Sequence, residues 1–315
     1  MKVSIIIPFL NEEENIVSLV ETLSDYFEKE IHFEAEVIFV NDGSTDNSKN
    51  ILVEQYHKNY SSKIISFSKN FGSHAALRAG IQNATGDYVT FMYADLQDPI
   101  QLISQLYDKI EKENNEIVWA TRNSTNNSFF ESSFSKFYSS LMKKYVSSSY
   151  PEKGFDVVMF SKKVAMVINQ NIEANSSIFL QILTVGFNQD FIFYDKLPRE
   201  KGISKWTLSK KIKLFIDSFI AFSYAPIRFV TIIGITLFFF GIGFSLFLII
   251  RKLFYDDLVS GWPMLISILT IGFGITNISL GIIAEYLWRT FDSSRKRPVF
   301  IVDDIIEINK NKNDE

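Results

Sequence analysis

The sequence predicts an α/β protein: a mostly parallel sheet flanked by helices, followed by two helices that cross a membrane. Three observations carry this reading. Short apolar runs alternate with helical patterns from Val3 to Ala120, as strand–helix–strand units do. A polar cluster follows each of the first four apolar runs. Beyond Trp206 the composition shifts, and the chain is strongly apolar from Ile212 to Trp288.

Val3–Ile7 reads as a short buried strand that stops at Pro8 and the polar stretch Asn11–Asn15. It is too short for the apolar part of a signal peptide, so the first domain is expected to stay where it is made. Glu12 to Lys29 is helical, with Ile16, Leu19, Val20, Leu23 and Phe27 on one stripe. Val37–Val40 is a strand, and Ser44 to Tyr56 a helix that Ser44 or Thr45 can cap. Ile64–Phe67, Tyr88–Met92 and Ile117–Ala120 are strands; Ser73–Ala84 and Pro99–Glu113 are helices. Asn123–Tyr150 is rich in serine and asparagine but carries Phe129, Phe130, Phe134, Phe137 and Tyr138. That many aromatics favours a mobile loop that orders on binding over a solvated linker.

Four segments are expected: a soluble α/β domain over 1–206, an amphipathic juxtamembrane helix over 207–226, two spans within 227–289 and a tail over 290–315. Leu208, Ile212, Phe215, Phe219 and Phe222 recur at helical spacing opposite lysines, which suits a helix lying in the interface; a helix packed on the soluble domain has the same pattern. Residues 229–250 hold no charge, and a second uncharged stretch runs from Leu258 to Ala284, densest after Pro263, for a span expected at about 262–286. Each meets the roughly 20 residues that a bilayer core requires. Tyr224, Tyr255, Trp262, Tyr286 and Trp288 stand where interfacial aromatics belong. Basic residues before the first span (Lys205, Lys210, Lys211, Lys213, Arg228) and after the second (Arg289, Arg295, Lys296, Arg297) outnumber Arg251 and Lys252 between them. The soluble domain and C-terminus are therefore expected in the cytoplasm. Gly234, Gly241 and Gly243 leave room for close helix contact, and so for a homo-oligomer. VFIVDDIIEI suggests one short strand ahead of a polar tail.

Net charge is −4, which gives no electrostatic argument for nucleic acid. The absence of cysteine excludes disulfides, thiolate metal sites and cysteine nucleophiles. No GxxxxGK[ST] or GxGxxG follows the first strand. The polar clusters are Pro8–Glu13, Asn41-Asp42-Gly43-Ser44, Lys69-Asn70-Phe71-Gly72 and Asp95-Leu96-Gln97-Asp98. Each lies at the carboxyl end of a strand, where open α/β sheets bind ligands. Asp95 and Gln97 offer oxygen donors suited to Mg2+ or Mn2+, which in turn holds phosphates. Glu12 and Asp42 are placed to hydrogen-bond a base or ribose, with Gly43 and Asn70 in the same strand-end set. Asp98, just before Pro99, either joins this cluster or caps the following helix.

The segments SIIIPFLNEEENI, VIFVNDGSTDNS, SKNFGSHAALRAGI, GDYVTFMYADLQDP, GFDVVMFSKK, REKGISKW and FSYAPIR occur in this order. Together they resemble the family-2 glycosyltransferases of GT-A fold, in the polyprenyl-phosphate branch that includes bactoprenol glucosyltransferases and dolichol-phosphate mannosyltransferases. The resemblance runs from the first strand through both spans. It implies a GT-A catalytic domain in which Pro8, Asn11, Glu12 and Asp42 line the nucleotide pocket and Asp95 and Gln97 ligate the metal. It further implies that Asp156 positions the sugar or acts as a base, that Arg199 and Lys205 hold the phosphates of donor and lipid, and that Arg122 is the basic residue following the fifth strand. Two positions depart from the pattern. Tyr93 stands where many relatives have the first Asp of DxD, and Lys196-Leu197 where many have a further arginine.

The implied reaction is inverting transfer of a hexose-type sugar from a nucleotide diphosphate sugar, taken as a UDP-sugar, to undecaprenyl phosphate. The lipid product would serve cell-envelope polysaccharide glycosylation at a bacterial inner membrane. An acceptor phosphate is already ionised near neutral pH, so alignment and charge neutralisation carry the chemistry. A processive synthase is disfavoured because QxxRW is missing. A catalytically idle scaffold or flippase-associated subunit is opposed by the retained Asp42, Asp95, Gln97, Asp156 and Arg199.

Overall fold

The computed structural model describes residues 1–29, 32–123, 138–151, 155, 157–171, 176–197, 225–255, 261–295 and 297–308. It divides into two compact units: Met1–Ser218 with Pro298–Glu315, and Phe219–Arg297.

In the first unit, the described strands are β1 (Lys2–Phe9), β2 (Glu34–Asn41), β3 (Ser61–Phe67), β4 (Tyr88–Phe91), β5 (Ile117–Arg122), β6 (Val157–Ser161), β7 (Gln189–Tyr194) and β8 (Val302–Ile308). They form one mixed sheet in the order β7-β5-β6-β4-β1-β2-β3-β8. β1 to β4 run parallel, β6 is antiparallel to both β4 and β5, and β7 is parallel to β5. The central strands are buried almost throughout, and their runs of Val, Ile and Phe are what two helix-covered faces require.

The described helices of this unit include α1 (Glu13–Lys29), α2 (Ser48–Glu54), α3 (Ser73–Asn83), α4 (Leu102–Glu113), α5 (Lys162–Gln170) and α6 (Ile178–Thr184). α1 buries Ile16, Leu19, Val20, Leu23 and Phe27, the stripe its periodicity predicts. Glu13 and Glu14 in its first turn and Lys29 in its last suit the helix dipole. α3 lies close on β1: a Cβ added at Gly80 would sit 2.2 Å from Ile6 Cγ2. α4 ends at Asn114, whose φ of 52° supplies the left-handed stop.

Two expectations change. The helix expected over Ser44–Tyr56 is shorter, beginning only at Ser48, because Ser44 and Thr45 are drawn into contacts with the preceding loop. Asp98 is not a helix cap. α4 starts three residues further on than Pro99, at Leu102, and its N-cap residue is Gln101.

The strand expected near the C-terminus is β8, and it completes the sheet. It pairs antiparallel with β3 across a large sequence distance, Ser66 opposite Asp304. Ile306 and Ile308 pack on the core. Lys49 and Lys63 pair with Asp304 and Glu307 at 2.9 and 3.1 Å, and Phe300 stacks on Phe67.

The second unit contains α7 (Ala225–Tyr255) and α8 (Trp262–Ser294). Ile227–Phe244 and Ile271–Asp292 are long and apolar enough to cross a membrane. Phe239, Phe240, Ile271 and Phe273 are exposed on this unit. Thr231, Thr236, Thr276 and Ser279 donate their hydroxyls to carbonyls one turn back. Such back-bonding leaves few polar groups for an apolar surround to solvate.

Candidate active site

Strand order locates the crevice. From β1 the chain steps to β2 and β3 on one side, then returns to place β4 on the other side of β1. The switch point, where an open α/β sheet parts its loops, therefore lies between the carboxyl ends of β1 and β4. The loops that leave there are residues 10–12 and 92–98, beside those after β2 and β3. The four polar clusters expected from sequence thus share one sheet edge.

The loops after β1 and β2 are cross-laced. Asn11, at φ 51°, donates its N–H to Ser44 Oγ at 3.0 Å and accepts the Thr45 N–H at 2.8 Å. The Glu12 N–H reaches Ser48 Oγ at 2.8 Å. Glu13 donates to Asp46, and Asn47 donates back to the Glu13 carboxylate. The Glu12 carboxylate accepts from Asn15 Nδ2 at 2.7 Å, and its backbone carbonyl opens α1. Pro8 is buried within β1. The polar residues of NDGSTDNS therefore hold one loop against the other, which their chain order alone does not reveal.

Asp42 is 4% exposed. Its Oδ1 accepts the Phe71 N–H at 2.7 Å, and Gly72 N–H reaches Oδ2 at 3.0 Å. Burial raises the carboxyl above its ordinary range, and these two amides pull in the other direction. A carboxylate has about four acceptor positions, so this one retains capacity for a further donor. Gly43, at φ 71°, lies against the same loop; a Cβ there would be 2.4 Å from Lys69 C and 2.6 Å from Asn70 N. Asn70 is exposed beside it.

At the end of β4, Leu96 takes φ 52°, turning the loop between two half-buried oxygen donors, Asp95 and Gln97. Asp95 Oδ1 accepts the Gln97 N–H at 3.3 Å. Among the described residues, no group of three His, Cys, Asp or Glu side chains could hold a metal. The donor set is one carboxylate and one amide carbonyl, with Tyr93 half-buried two residues ahead. This oxygen-only set fits a hard cation shared with phosphates, since such ions often take only one or two protein carboxylates.

Asp98 is 5% exposed and tied to the edge strand β7. The Tyr194 hydroxyl donates to its Oδ1 at 2.7 Å, and Lys196 Nζ lies 3.8 Å from the same oxygen. The Leu197 N–H donates to the Gln97 carbonyl at 2.8 Å. Arg122 and Tyr194 are register partners on β5 and β7. Burial and then the Asp98 charge push the Tyr194 hydroxyl up, and Arg122 acts against both. The structure thus brings Arg122 to this corner of the strand-end surface. Asp156, Arg199, Lys205 and the proposed interfacial helix up to residue 224 lie outside the described residues. Tyr194 was missed from sequence: its partner is 96 positions away, and only the YDK context beside a basic motif marks it.

The family model described as "Glycosyl transferase family 2" matches residues 4–169. An "Uncharacterized glycosyltransferase" of Synechocystis sp. is 33% identical over 97% of this chain and 96% of its own length. The "Bactoprenol glucosyl transferase" of Shigella phage SfV is 30% identical, covering 96% and 98%. A "Prophage bactoprenol glucosyl transferase homolog" of Escherichia coli is 29% identical over the same shares, 96% and 98%.

Proposed function

Because the chain belongs to glycosyl transferase family 2, we propose that it transfers a hexose from a nucleotide diphosphate sugar to a polyprenyl phosphate at the cytoplasmic face of a bacterial inner membrane. The observation that carries this reading is the placement of Asp95 and Gln97 at the β1/β4 switch point, across from the Asn11–Glu12 loop. The near-full-length likeness to bactoprenol glucosyl transferases supports the acceptor.

The division of labour is as follows. The laced loops after β1 and β2, with Asp42, present hydrogen-bond acceptors to the base and ribose, and Gly43 lets the Asn70 loop close beside them. Asp95 and Gln97 would hold a divalent cation together with the donor diphosphate; bound there, Mg2+ or Mn2+ neutralises charge on the departing nucleotide. Arg122 adds a fixed positive charge at the same edge. Asp156 positions the sugar, and Arg199 and Lys205 receive the two phosphates. The acceptor phosphate oxygen attacks the anomeric carbon as the bond to the diphosphate breaks, inverting the centre. Because that oxygen is already anionic, the residues chiefly align and shield charge.

Connectivity supports a membrane topology with both ends on one side. The chain leaves the sheet-bearing unit for α7 and α8 and returns to it as β8. An even number of crossings satisfies this. The basic flanks of the helical pair favour the cytoplasm for both ends.

The test is direct. Detergent-purified chain is incubated with labelled UDP-glucose, UDP-galactose, UDP-N-acetylglucosamine and GDP-mannose, each with and without undecaprenyl phosphate. One donor should label the lipid fraction only when the lipid phosphate is present. Release of free sugar regardless of lipid would reject the acceptor.

A further inference from the structure

The loop carrying Asp95 and Gln97 is short, but its anchorage is distant. In the sheet, β6 and β5 separate β4 from β7, yet Asp98 meets Tyr194 at the end of β7 through a buried hydrogen bond of 2.7 Å. Two further contacts run the same way: Lys196 to Asp98 at 3.8 Å, and the Leu197 N–H to the Gln97 carbonyl at 2.8 Å. The second of these fixes the peptide of a residue that offers its own side-chain oxygen to the site. Leu96 sits between the two donors at φ 52°, a conformation that a leucine adopts only when its surroundings hold it there. A mere cap for α4 would need none of this, and the N-cap position of that helix belongs to Gln101.

We propose that Tyr194 and Asp98 are positioning residues: a buried hydroxyl–carboxylate latch, seconded by Lys196, that holds the 95–97 loop in the shape needed to bind cation and diphosphate together. This rests on the glycosyltransferase reading above. The latch acts through the loop and touches neither sugar nor phosphate. It also accounts for the tolerance of Tyr93 at the start of the motif. With one carboxylate fewer than a DxD site, two donors suffice only if their spacing is fixed in advance.

The experiment measures binding rather than turnover. The full chain in detergent is titrated with UDP by calorimetry, with and without Mn2+, and Mn2+ uptake is followed from the free-ion paramagnetic resonance signal. GDP replaces UDP if the wild type prefers it. Wild type should bind the nucleotide more tightly with Mn2+ present. Tyr194→Phe loses the hydroxyl while keeping the ring, and should weaken Mn2+ uptake in the presence of nucleotide by roughly tenfold, the scale of one hydrogen bond to a charged group. Metal-free nucleotide affinity should change less than twofold. Asp98→Asn, which can still accept from Tyr194, should recover part of the loss relative to Asp98→Ala.

Ser4→Ala is the control for simple destabilisation. It breaks a buried hydrogen bond to Glu36 at the opposite end of the sheet and should lower the melting temperature while leaving the Mn2+ titration unchanged. Equal Mn2+ uptake by Tyr194→Phe and wild type overturns the latch alone. An equal loss in Ser4→Ala also overturns it, because instability would then explain the effect. If wild type binds neither nucleotide and gains nothing from Mn2+, the donor-site reading falls and takes the latch with it.

Discussion

Replacing Gly43 with alanine tests whether the nucleotide-facing loops depend on close backbone approach. Two penalties add at this position. With φ at 71°, an L side chain costs about 1–2 kcal/mol. The new Cβ would also lie 2.4 Å from Lys69 C and 2.6 Å from Asn70 N, both backbone atoms that no rotamer change can move. Displacing that loop adds about 1–3 kcal/mol, as overpacking does elsewhere. The sum is about 2–5 kcal/mol, or a melting temperature lower by roughly 5–15 °C for a unit of this size. The Phe71 and Gly72 amides would withdraw from Asp42, so nucleotide affinity should fall at least about tenfold. Gly72→Ala is the matched comparison. Its φ is 97°, but nothing lies within 4 Å of an added Cβ, so only the conformational penalty applies. Differential scanning fluorimetry and nucleotide titration on both variants separate the terms. If Gly43→Ala melts and binds like Gly72→Ala, the crowding argument is wrong.

Other consequences concern charge, the cation and the returning strand. Burial alone would raise the Glu36 carboxyl, but hydrogen bonds from Ser4 and Thr85, with the Lys2 charge, hold it below the ordinary glutamate range. A depressed folded-state value stabilises above the unfolded value and is lost as pH falls through the folded one. Wild type should therefore lose stability on acidification below about pH 5, and Glu36→Gln should lose less across that window in denaturant melts. Chelation should abolish lipid labelling and added Mn2+ restore it, with Gln97→Ala requiring several-fold more Mn2+. Full activity in excess chelator would remove the cation from the account. A chain ending at Arg297 lacks β8, the packing of Ile306 and Ile308, and the pairs made by Lys49 and Lys63. It should lose about 2–4 kcal/mol and aggregate through the bared β3 edge; an unchanged melt would make β8 dispensable.

What was legible in the sequence was what local pattern encodes. The stripe Ile16–Phe27 gave α1, and uninterrupted Val/Ile runs gave the doubly covered strands. Turn-forming polar clusters marked the edge that carries the candidate site, because parallel strands in one sheet deliver their loops to a common side. Long-range pairing was not legible. Ser44 and Thr45 are good capping residues for a helix, yet Asn11, more than thirty positions earlier, claims both. Asp98 before Pro99 has the local look of a cap, and a tyrosine at the end of β7, three strands away, takes it instead. The insertion of antiparallel β6 between β4 and β5 leaves no periodic trace, since β6 is apolar and short like its neighbours. Tyr93 shows the same limit: read alone it weakens a motif, and the anchorage of the loop behind it joins residues 96 or more positions apart.

The most direct measurement compares wild type with Asp95→Ala in a single assay, using the labelled donor that the wild type prefers and undecaprenyl phosphate in mixed micelles. Asp95 is half-buried and its removal should leave the melt unchanged. The wild type should form a sugar–phosphate–lipid of inverted anomeric configuration, and the variant should form it at least about a hundredfold more slowly. A variant that makes the lipid product at the wild-type rate would contradict the assignment of the β1/β4 crevice as the place of transfer.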